Sequence, residues 1–309
     1  KETAKESKMF RKNDFILLFV ILSAMGVGIG LPEFGRAFAP YPLYFMMVQL
    51  FFSFLSINFL QVFQEIKNKA FIILVLCLFK LCIIPVGLFF LTQALWPEYA
   101  VPVLLLSGIS TGVLAPFISG LLGASTLLVL MTVVVSSLLA PFSLPVLVSL
   151  LIGHTIEIPF WAMVRILAMV IFLPALAVIL LRSIYPPSLE KLEKIQLPAS
   201  VISIACINLG VFAKYSSFFI GAPVKVAESI LVSFVLSAIY HLIGLLVTWG
   251  MKKEDRLAGA ISFAYINTVL IIGFSAQFFG PLSPALAALY MLPFFAMIVP
   301  ARIVGHLME

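Results

Sequence analysis

Long apolar runs, separated by short stretches that carry charge, proline or glycine, dominate this sequence. A helix that crosses about 30 Å of hydrocarbon needs about 20 apolar residues, because each residue rises by roughly 1.5 Å. Ten runs approach this length, and they lack the alternation expected of β-barrel strands. Numbered here as spans 1–10, they cover residues 15–31, 42–63, 70–95, 99–122, 125–152, 158–181, 199–220, 224–250, 257–279 and 283–305. The sequence therefore predicts an all-α polytopic membrane protein.

Composition supports a lipid environment and excludes several soluble classes of protein. The chain is 63% hydrophobic and only 10% charged, whereas soluble domains are roughly 45–50% apolar and about 25% charged. Disordered and soluble globular chains are thereby excluded. The net charge of +6 falls mainly between the spans, so we expect a lipid bilayer as partner and no nucleic acid.

The positions of lysine and arginine predict an orientation. With ten spans, both termini lie on the same side, and fourteen of the nineteen basic residues fall on that side. Three fall on the other side, while Lys80 and Arg165 lie within spans. Such a bias marks cytoplasmic loops. We predict a multi-pass protein of the cell (inner or plasma) membrane, with residues 1–14 as a cytoplasmic N-terminal tail and both termini cytoplasmic.

The ten spans divide into two similar halves, residues 15–152 and 158–305. Asn58 in span 2 corresponds to Asn208 in span 7, and Pro141 in span 5 corresponds to Pro293 in span 10. Five spans per half force the second copy to insert upside down. Many secondary transporters have such inverted repeats. We predict a single ten-span transporter domain over residues 15–309, built as a 5+5 inverted repeat.

Two spans carry features that interrupt a helix. Gly112 and Pro116 weaken span 4, and the 152-residue offset between the halves places their equivalents in the polar stretch 262–268 of span 9. Backbone groups freed at this depth must face protein or a water-filled cavity. We therefore expect discontinuous, crossing helices 4 and 9 beside a substrate or cation site. The candidates are Ser110, Thr111, Gly112 and Pro116 in span 4, Thr132 and Ser136 in span 5, and Ser262, Tyr265, Asn267 and Thr268 in span 9.

Two titratable residues lie deep within spans. Lys80 is ten residues into span 3, which is roughly 15 Å by helical rise. A charge near the middle of a bilayer is costly, so we expect Lys80 to face the bundle interior and to have a function, the alternative being a structural bond to a broken helix. His241 in span 8 could carry protons, although a buried packing role is the alternative.

Signatures of enzymes and of bound cofactors are missing from the sequence. It has no G-x-x-x-x-G-K-[ST] phosphate loop, no Cys/His cluster with metal-ligand spacing, and no nucleophile paired with a base. The longest connection, Arg182 to Pro198, is predicted to be mostly linker with a short charged stretch. We expect neither an enzyme nor a protein that holds a metal or a cofactor.

These features together resemble the bile acid:sodium symporter family, as a divergent prokaryotic-type member. The resemblance rests on the ten spans, the Gly/Pro-interrupted span 4, the segment from Ser136 to Pro141 and Asn267 in span 9. It is clearest over residues 79–145 and 256–300. It implies a panel and a core subdomain, with spans 4 and 9 crossing in the core. It also implies alternating-access transport of a small organic anion, such as a bile acid, pantoate or another small carboxylate.

The sequence departs from the family at the positions that the resemblance assigns to sodium. The family's Ser-Asn pair in span 4 corresponds to Ala115 and Pro116, and its hydroxyl residues in span 5 correspond to Val129 and Val133. Its E-x-x-x-Q-N pattern in span 9 corresponds to Ser262, Ile266 and Asn267. Its glutamine in span 3 corresponds to Lys80. Shifting the alignment by one residue would place the hydroxyl of Thr132 at a sodium-ligand position, but it would not supply the glutamate of span 9. We therefore predict that transport is not coupled to sodium through the family's usual sites.

Lys80 suggests what replaces sodium. Its ammonium could supply the positive charge permanently, or its amine could exchange a proton and couple transport to protons. Three alternatives stay open from the sequence: a sodium-independent carrier similar to auxin-efflux proteins, a conventional sodium symporter, and a membrane sensor that binds a ligand without moving it. The substrate, the coupling ion and the oligomeric state do not follow from the sequence.

Overall fold

A computed structural model describes residues 12–55, 57–153 and 159–308, and this part of the chain is all-α, as predicted. Its first nine helices are α1 (Lys12–Gly30), α2 (Pro32–Arg36), α3 (Pro42–Leu55), α4 (Phe59–Asn68), α5 (Ala70–Leu78), α6 (Ile84–Leu95), α7 (Ala100–Ser107), α8 (Ala115–Leu121) and α9 (Thr126–Ile152). The others are α10 (Phe160–Ile184), α11 (Pro187–Lys214), α12 (Ser216–Gly221), α13 (Pro223–Val247), α14 (Lys253–Ala264), α15 (Thr268–Phe278), α16 (Leu282–Leu289), α17 (Met291–Ala296) and α18 (Ile298–Leu307). A π-helical turn, Phe79–Ile83, joins α5 to α6, and a 3-10 turn, Pro97–Tyr99, precedes α7.

Several of these helices are long and apolar enough to cross a membrane. In the described part of the chain, five qualify: the continuous helix Ala70–Leu95, α9, α10, α11 and α13. Helices α16–α18 form a sixth if their 44° bend lies within one span. These six correspond to predicted spans 3, 5, 6, 7, 8 and 10. The membrane-spanning character is confirmed, whereas the count of ten spans and the inverted repeat stay predictions.

The structure differs from the sequence prediction in two connections. Span 2 is not one helix, because α3 ends at Leu55 and α4 begins at Phe59. The segment predicted as a linker before span 7 is largely helical, since α11 already begins at Pro187. Proline is favourable in the first turn of a helix, where its missing N–H has no partner to lose. The charged stretch 190–194 therefore extends the apolar helix.

The helices pack into two groups, which are joined by α15 and also by α9, since α9 packs on α10 and on α14. In the first group, α3 packs on α10 and α11, and α1 and α2 pack on α11. In the second group, α13 packs on α14 and α16, and α7 packs on α6 and α16. Gly35 allows one close approach in the first group, because a Cβ there would lie 2.5 Å from Ala213 Cβ. Helix α15 contacts α3, α7, α11 and α16, so it lies between the two groups.

Candidate functional site

Both predicted helix breaks are present. Residues 108–114 separate α7 from α8, and residues 265–267 separate α14 from α15. Pro116 lies in the first turn of α8, where its missing N–H removes no helical bond. It therefore begins the second half of span 4 and does not kink a continuous helix.

The two breaks are joined by backbone hydrogen bonds. Thr111 and Ile266 form an isolated antiparallel bridge. Beside it, the Gly112 N–H donates to Tyr265 O at 2.7 Å, and the Asn267 N–H donates to Ser110 O at 3.0 Å. Backbone groups that left their helices are thus paired with each other, as an apolar interior requires.

Gly112 allows this close approach. A Cβ at this position would lie 2.6 Å from Ile266 O and 3.1 Å from Tyr265 O. No side chain fits there unless the two breaks move apart. Glycine is therefore required at position 112 by packing against the second break.

The end of α14 is closed by donors from three other spans. Residues 262–265 present four consecutive carbonyl oxygens, which a helix end leaves without helical partners. Ser262 O accepts from Thr111 Oγ1 at 2.7 Å, Phe263 O from Lys80 Nζ at 3.2 Å, Ala264 O from Tyr290 OH at 2.7 Å, and Tyr265 O from Gly112 N. The oxygens that could surround a cation at this break are therefore bonded to protein donors.

Lys80 lies at the negative end of α14. The side chain is only 2% exposed, and its Nζ is 5.8 Å from the centre of the Phe263 ring. A helix C-terminus carries a partial negative charge and favours a cation. The lysine projects from the π-helical turn Phe79–Ile83, a geometry that is frequent at functional sites. Its bond to Phe263 O lies in the last turn of α14.

A cleft of about 550 Å³, including its open mouth, lies beside the same crossing. Gly112, Asn267 and Thr268 line one side of it. Asn267 caps α15, because its Oδ1 accepts from Leu270 N at 3.1 Å. The positive end of the α15 dipole therefore faces the cleft, which favours an anion there.

The opposite wall of the cleft contains two polar residues that the sequence analysis missed. Gln49 and Ser53 of α3 line it, and Gln49 Nε2 lies 3.5 Å from Ser53 Oγ. Gln49 Oε1 is buried and has no partner within the described chain. The sequence did contain a signal for them, because two polar side chains four residues apart in an apolar span are expected to face the interior of a helix bundle.

The remaining hydroxyl candidates have different surroundings. Ser136 Oγ accepts from Thr111 N at 3.1 Å and so supports the first break. Thr132 donates to Leu128 O within its own helix at 2.9 Å, and Thr268 Oγ1 lies 3.0 Å from Met291 Sδ. Of the predicted site residues, Ser110, Ser262 and Tyr265 have buried hydroxyls that lack a hydrogen-bond partner among the described residues. Lys80, Thr111, Ser136 and Ser262 are thus brought to the crossing, whereas Thr132 bonds only within α9.

His241 lies apart from the first cleft. It lines a second, largely apolar cleft with Leu257 and Val304. Its Nδ1 is 2.7 Å from Ser237 O, and its ring packs edge-on against Tyr265 at 5.6 Å. It therefore contacts the crossing through an aromatic ring, and its role as a proton carrier stays a prediction.

The positions that correspond to sodium ligands are mostly alkyl groups. Ala115, Val129 and Val133 are fully buried, and Ile266 is 1% exposed. Hard cations bind oxygen ligands, and these side chains provide none. The residues present do not fit the sodium sites that the family resemblance implies.

Comparison with known proteins identifies the family. The model of the sodium bile acid symporter family matches residues 40–222, more than half of the chain. The chain belongs to this family. The match includes Lys80, the first break and Ser136, and ends before the second break. The family consists of transporters, which supports transport and not catalysis as the activity. No curated protein matches the chain.

Proposed function

We propose that this family member is a secondary transporter of a small organic anion, in which Lys80 takes the place of the coupling cation. The observation that carries the proposal is the bond from Lys80 Nζ to Phe263 O, 3.2 Å long, in the last turn of α14. Ends of half-helices and unwound carbonyls are the groups that bind sodium or protons in broken-helix transporters. An ammonium at this position supplies the same charge.

Charge complementarity supports an anionic substrate. Spans 4, 5 and 9 contain no aspartate or glutamate, so the sequence offers Lys80 no carboxylate there. The N-terminus of α15, capped by Asn267, faces the cleft of about 550 Å³. A carboxylate or sulfonate in this cleft would face the positive end of α15 and lie beside the crossing that holds the lysine. Lys80 bonds to the same crossing but does not line this cleft, so the substrate would act on the lysine through the crossing and not by direct contact.

Two coupling modes follow from the same geometry. A lysine that stays charged gives a uniporter independent of both sodium and pH. A lysine that releases its proton during the transport cycle gives coupling to protons. The alkyl groups of Val129 and Val133, at positions that the family resemblance assigns to sodium ligands, support transport without sodium in either mode. Alternating access would move the two helix groups relative to each other around the crossing, in a cell membrane with both termini cytoplasmic.

The experiment has two stages. A thermal-shift screen of small carboxylates and sulfonates, in sodium and in potassium buffer, first identifies a ligand, because a ligand that binds only the folded state stabilises it. Uptake of that ligand into proteoliposomes then separates a carrier from a sensor. We expect uptake in both buffers. Binding without uptake would favour the sensor, and uptake only in sodium would favour the conventional symporter.

A further inference from the structure

Two adjoining depressions lie away from the crossing, where α14 begins and α18 ends. The first is an apolar cleft of about 410 Å³ whose lining includes Leu122, Met297, Ala301 and Val304. The second is a polar depression of about 770 Å³, open to solvent, whose lining includes Leu122, Lys253, Glu254, Arg302 and His306. We call the first the apolar cleft and the second the basic pocket. They share Leu122, so one elongated ligand could occupy both.

The basic pocket lies at the level of a membrane surface. Trp249 is 66% exposed near this end of the bundle, and the Arg256 guanidinium lies 4.5 Å from the centre of its ring. Tryptophan and arginine are typical of the boundary between hydrocarbon and water. On the flanking helices Leu246 and Ile303 are 54% and 55% exposed, as expected of a lipid-facing surface. The apolar cleft therefore opens beside lipid chains, and the basic pocket lies beside headgroups.

Arg302 provides a specific sign of a missing anionic partner. One of its terminal nitrogens, Nη2, is buried and has no hydrogen-bond partner among the described residues. Leaving a buried charged donor unpaired is costly. A guanidinium binds phosphate oxygens well, because its fork of N–H groups matches their geometry. Among the described residues that line the pocket, Lys253 and His306 are basic and Glu254 is acidic.

We propose that this pair of depressions binds an anionic phospholipid. The phosphate would occupy the basic pocket against Arg302 and Lys253. One acyl chain would lie along α18 from Val304 to Met297, a distance of roughly 10 Å for seven residues. A free phosphate ion would use only the basic pocket and leave the apolar cleft without an occupant. Basic pockets between membrane helices are known to bind lipid headgroups by this chemistry.

Lipid binding can be measured on the purified full chain in detergent by native mass spectrometry. Phosphatidylglycerol and phosphatidylcholine with identical acyl chains are compared, because they differ in net charge but not in tail. We expect phosphatidylglycerol to bind at least tenfold more tightly. Combining Lys253→Gln with Arg302→Gln should weaken its binding about 25-fold, or roughly fivefold for each charge removed. Lys252→Gln is the matched control, since Lys252 is exposed and outside the basic pocket.

A second variant tests the acyl-chain part independently. Ala301→Trp fills the apolar cleft and leaves the basic residues in place. It should therefore weaken the binding of phosphatidylglycerol but not the binding of glycerol phosphate. A thermal melt in lipid-free detergent verifies that each variant is folded. Equal binding of the two lipids, or unchanged binding after both charge substitutions, would overturn the proposal. Competition by glycerol phosphate at the same concentration as the lipid would show an anion pocket only and would also overturn it.

Discussion

At the scale of single residues, Lys80 and Ser136 have the same structural task, which is to pair backbone groups that helix breaks leave free. Lys80 donates to Phe263 O, and Ser136 accepts from Thr111 N. They differ in charge. The lysine brings an ionisable amine into an interior where spans 4, 5 and 9 offer no carboxylate, and the serine brings only a hydroxyl dipole. Substituting each residue therefore tests different properties.

Lys80→Met keeps most of the side-chain length and removes the charge. We expect the variant to fold and to lose at least tenfold in anion uptake, or to lose the pH dependence of uptake. Lys80→Gln, which restores the family residue, should not rescue uptake, because Ser262 still lacks a carboxylate. Uptake between pH 5 and 9 in proteoliposomes is the measurement. Normal uptake by Lys80→Met at every pH would make Lys80 purely structural.

Ser136→Ala removes the acceptor of the buried Thr111 N–H. We expect a loss of about 1–3 kcal/mol in the free energy of unfolding, since a buried donor is left unpaired. Thr132→Val is the matched control, because the Thr132 hydroxyl bonds only within α9. We expect little change from this substitution, because the bond to the carbonyl four residues back adds nothing to the helical hydrogen bonds. Reversible unfolding in mixed micelles measures both, and equal losses would contradict the role assigned to Ser136.

At the scale of elements, the stability of the crossing depends on how closely the breaks in spans 4 and 9 approach each other. Gly112→Ala would place a methyl group 2.6 Å from Ile266 O. We expect destabilisation of about 1–3 kcal/mol from overpacking and impaired uptake, because the crossing must open by a few tenths of an ångström or more. Gly87→Ala is the control, since nothing lies within 4 Å of its added Cβ. Equal stability of the two variants would show that the crossing tolerates a side chain.

At the scale of the whole molecule, the predicted orientation can be tested by labelling from either side. In a background where Cys77, Cys82 and Cys206 are alanine, a cysteine at position 191 should react only from the cytoplasmic side. A cysteine at position 36 should react only from outside. Both native side chains are exposed. Labelling of position 191 from outside would contradict the ten-span arrangement.

Independence from sodium is also a property of the whole transporter. The family resemblance assigns sodium-ligand positions to Ala115, Val129, Val133 and Ile266. We therefore expect substrate affinity to change less than threefold when potassium replaces sodium. Calorimetric titration at constant ionic strength measures this affinity. A tenfold gain in sodium, about 1.4 kcal/mol of coupling, would show that sodium binds at other oxygens.

The sequence by itself determined the properties that depend on local composition. Apolar run length predicted ten membrane helices, and six of these spans appear in the described residues as long or bent apolar helices. The glycine at position 112 and the polar stretch 262–268 located the two breaks, because these residues weaken a helix wherever it packs. The depth of Lys80 in span 3 predicted that it is buried, and it is 2% exposed.

Only the tertiary structure decided which of these groups meet. Lys80 bonds to Phe263 O, 183 residues away, and Gly112 bonds to Tyr265 across the two breaks. The spacing of Gln49 and Ser53 places them on one face of α3, but only the packing of α3 beside α15 brings that face to the cleft. Contacts of this kind depend on how helices pack, and many packings satisfy the same apolar pattern. The sequence therefore identifies the breaks, while the packing brings a lysine amine, four carbonyl oxygens and a cleft to them.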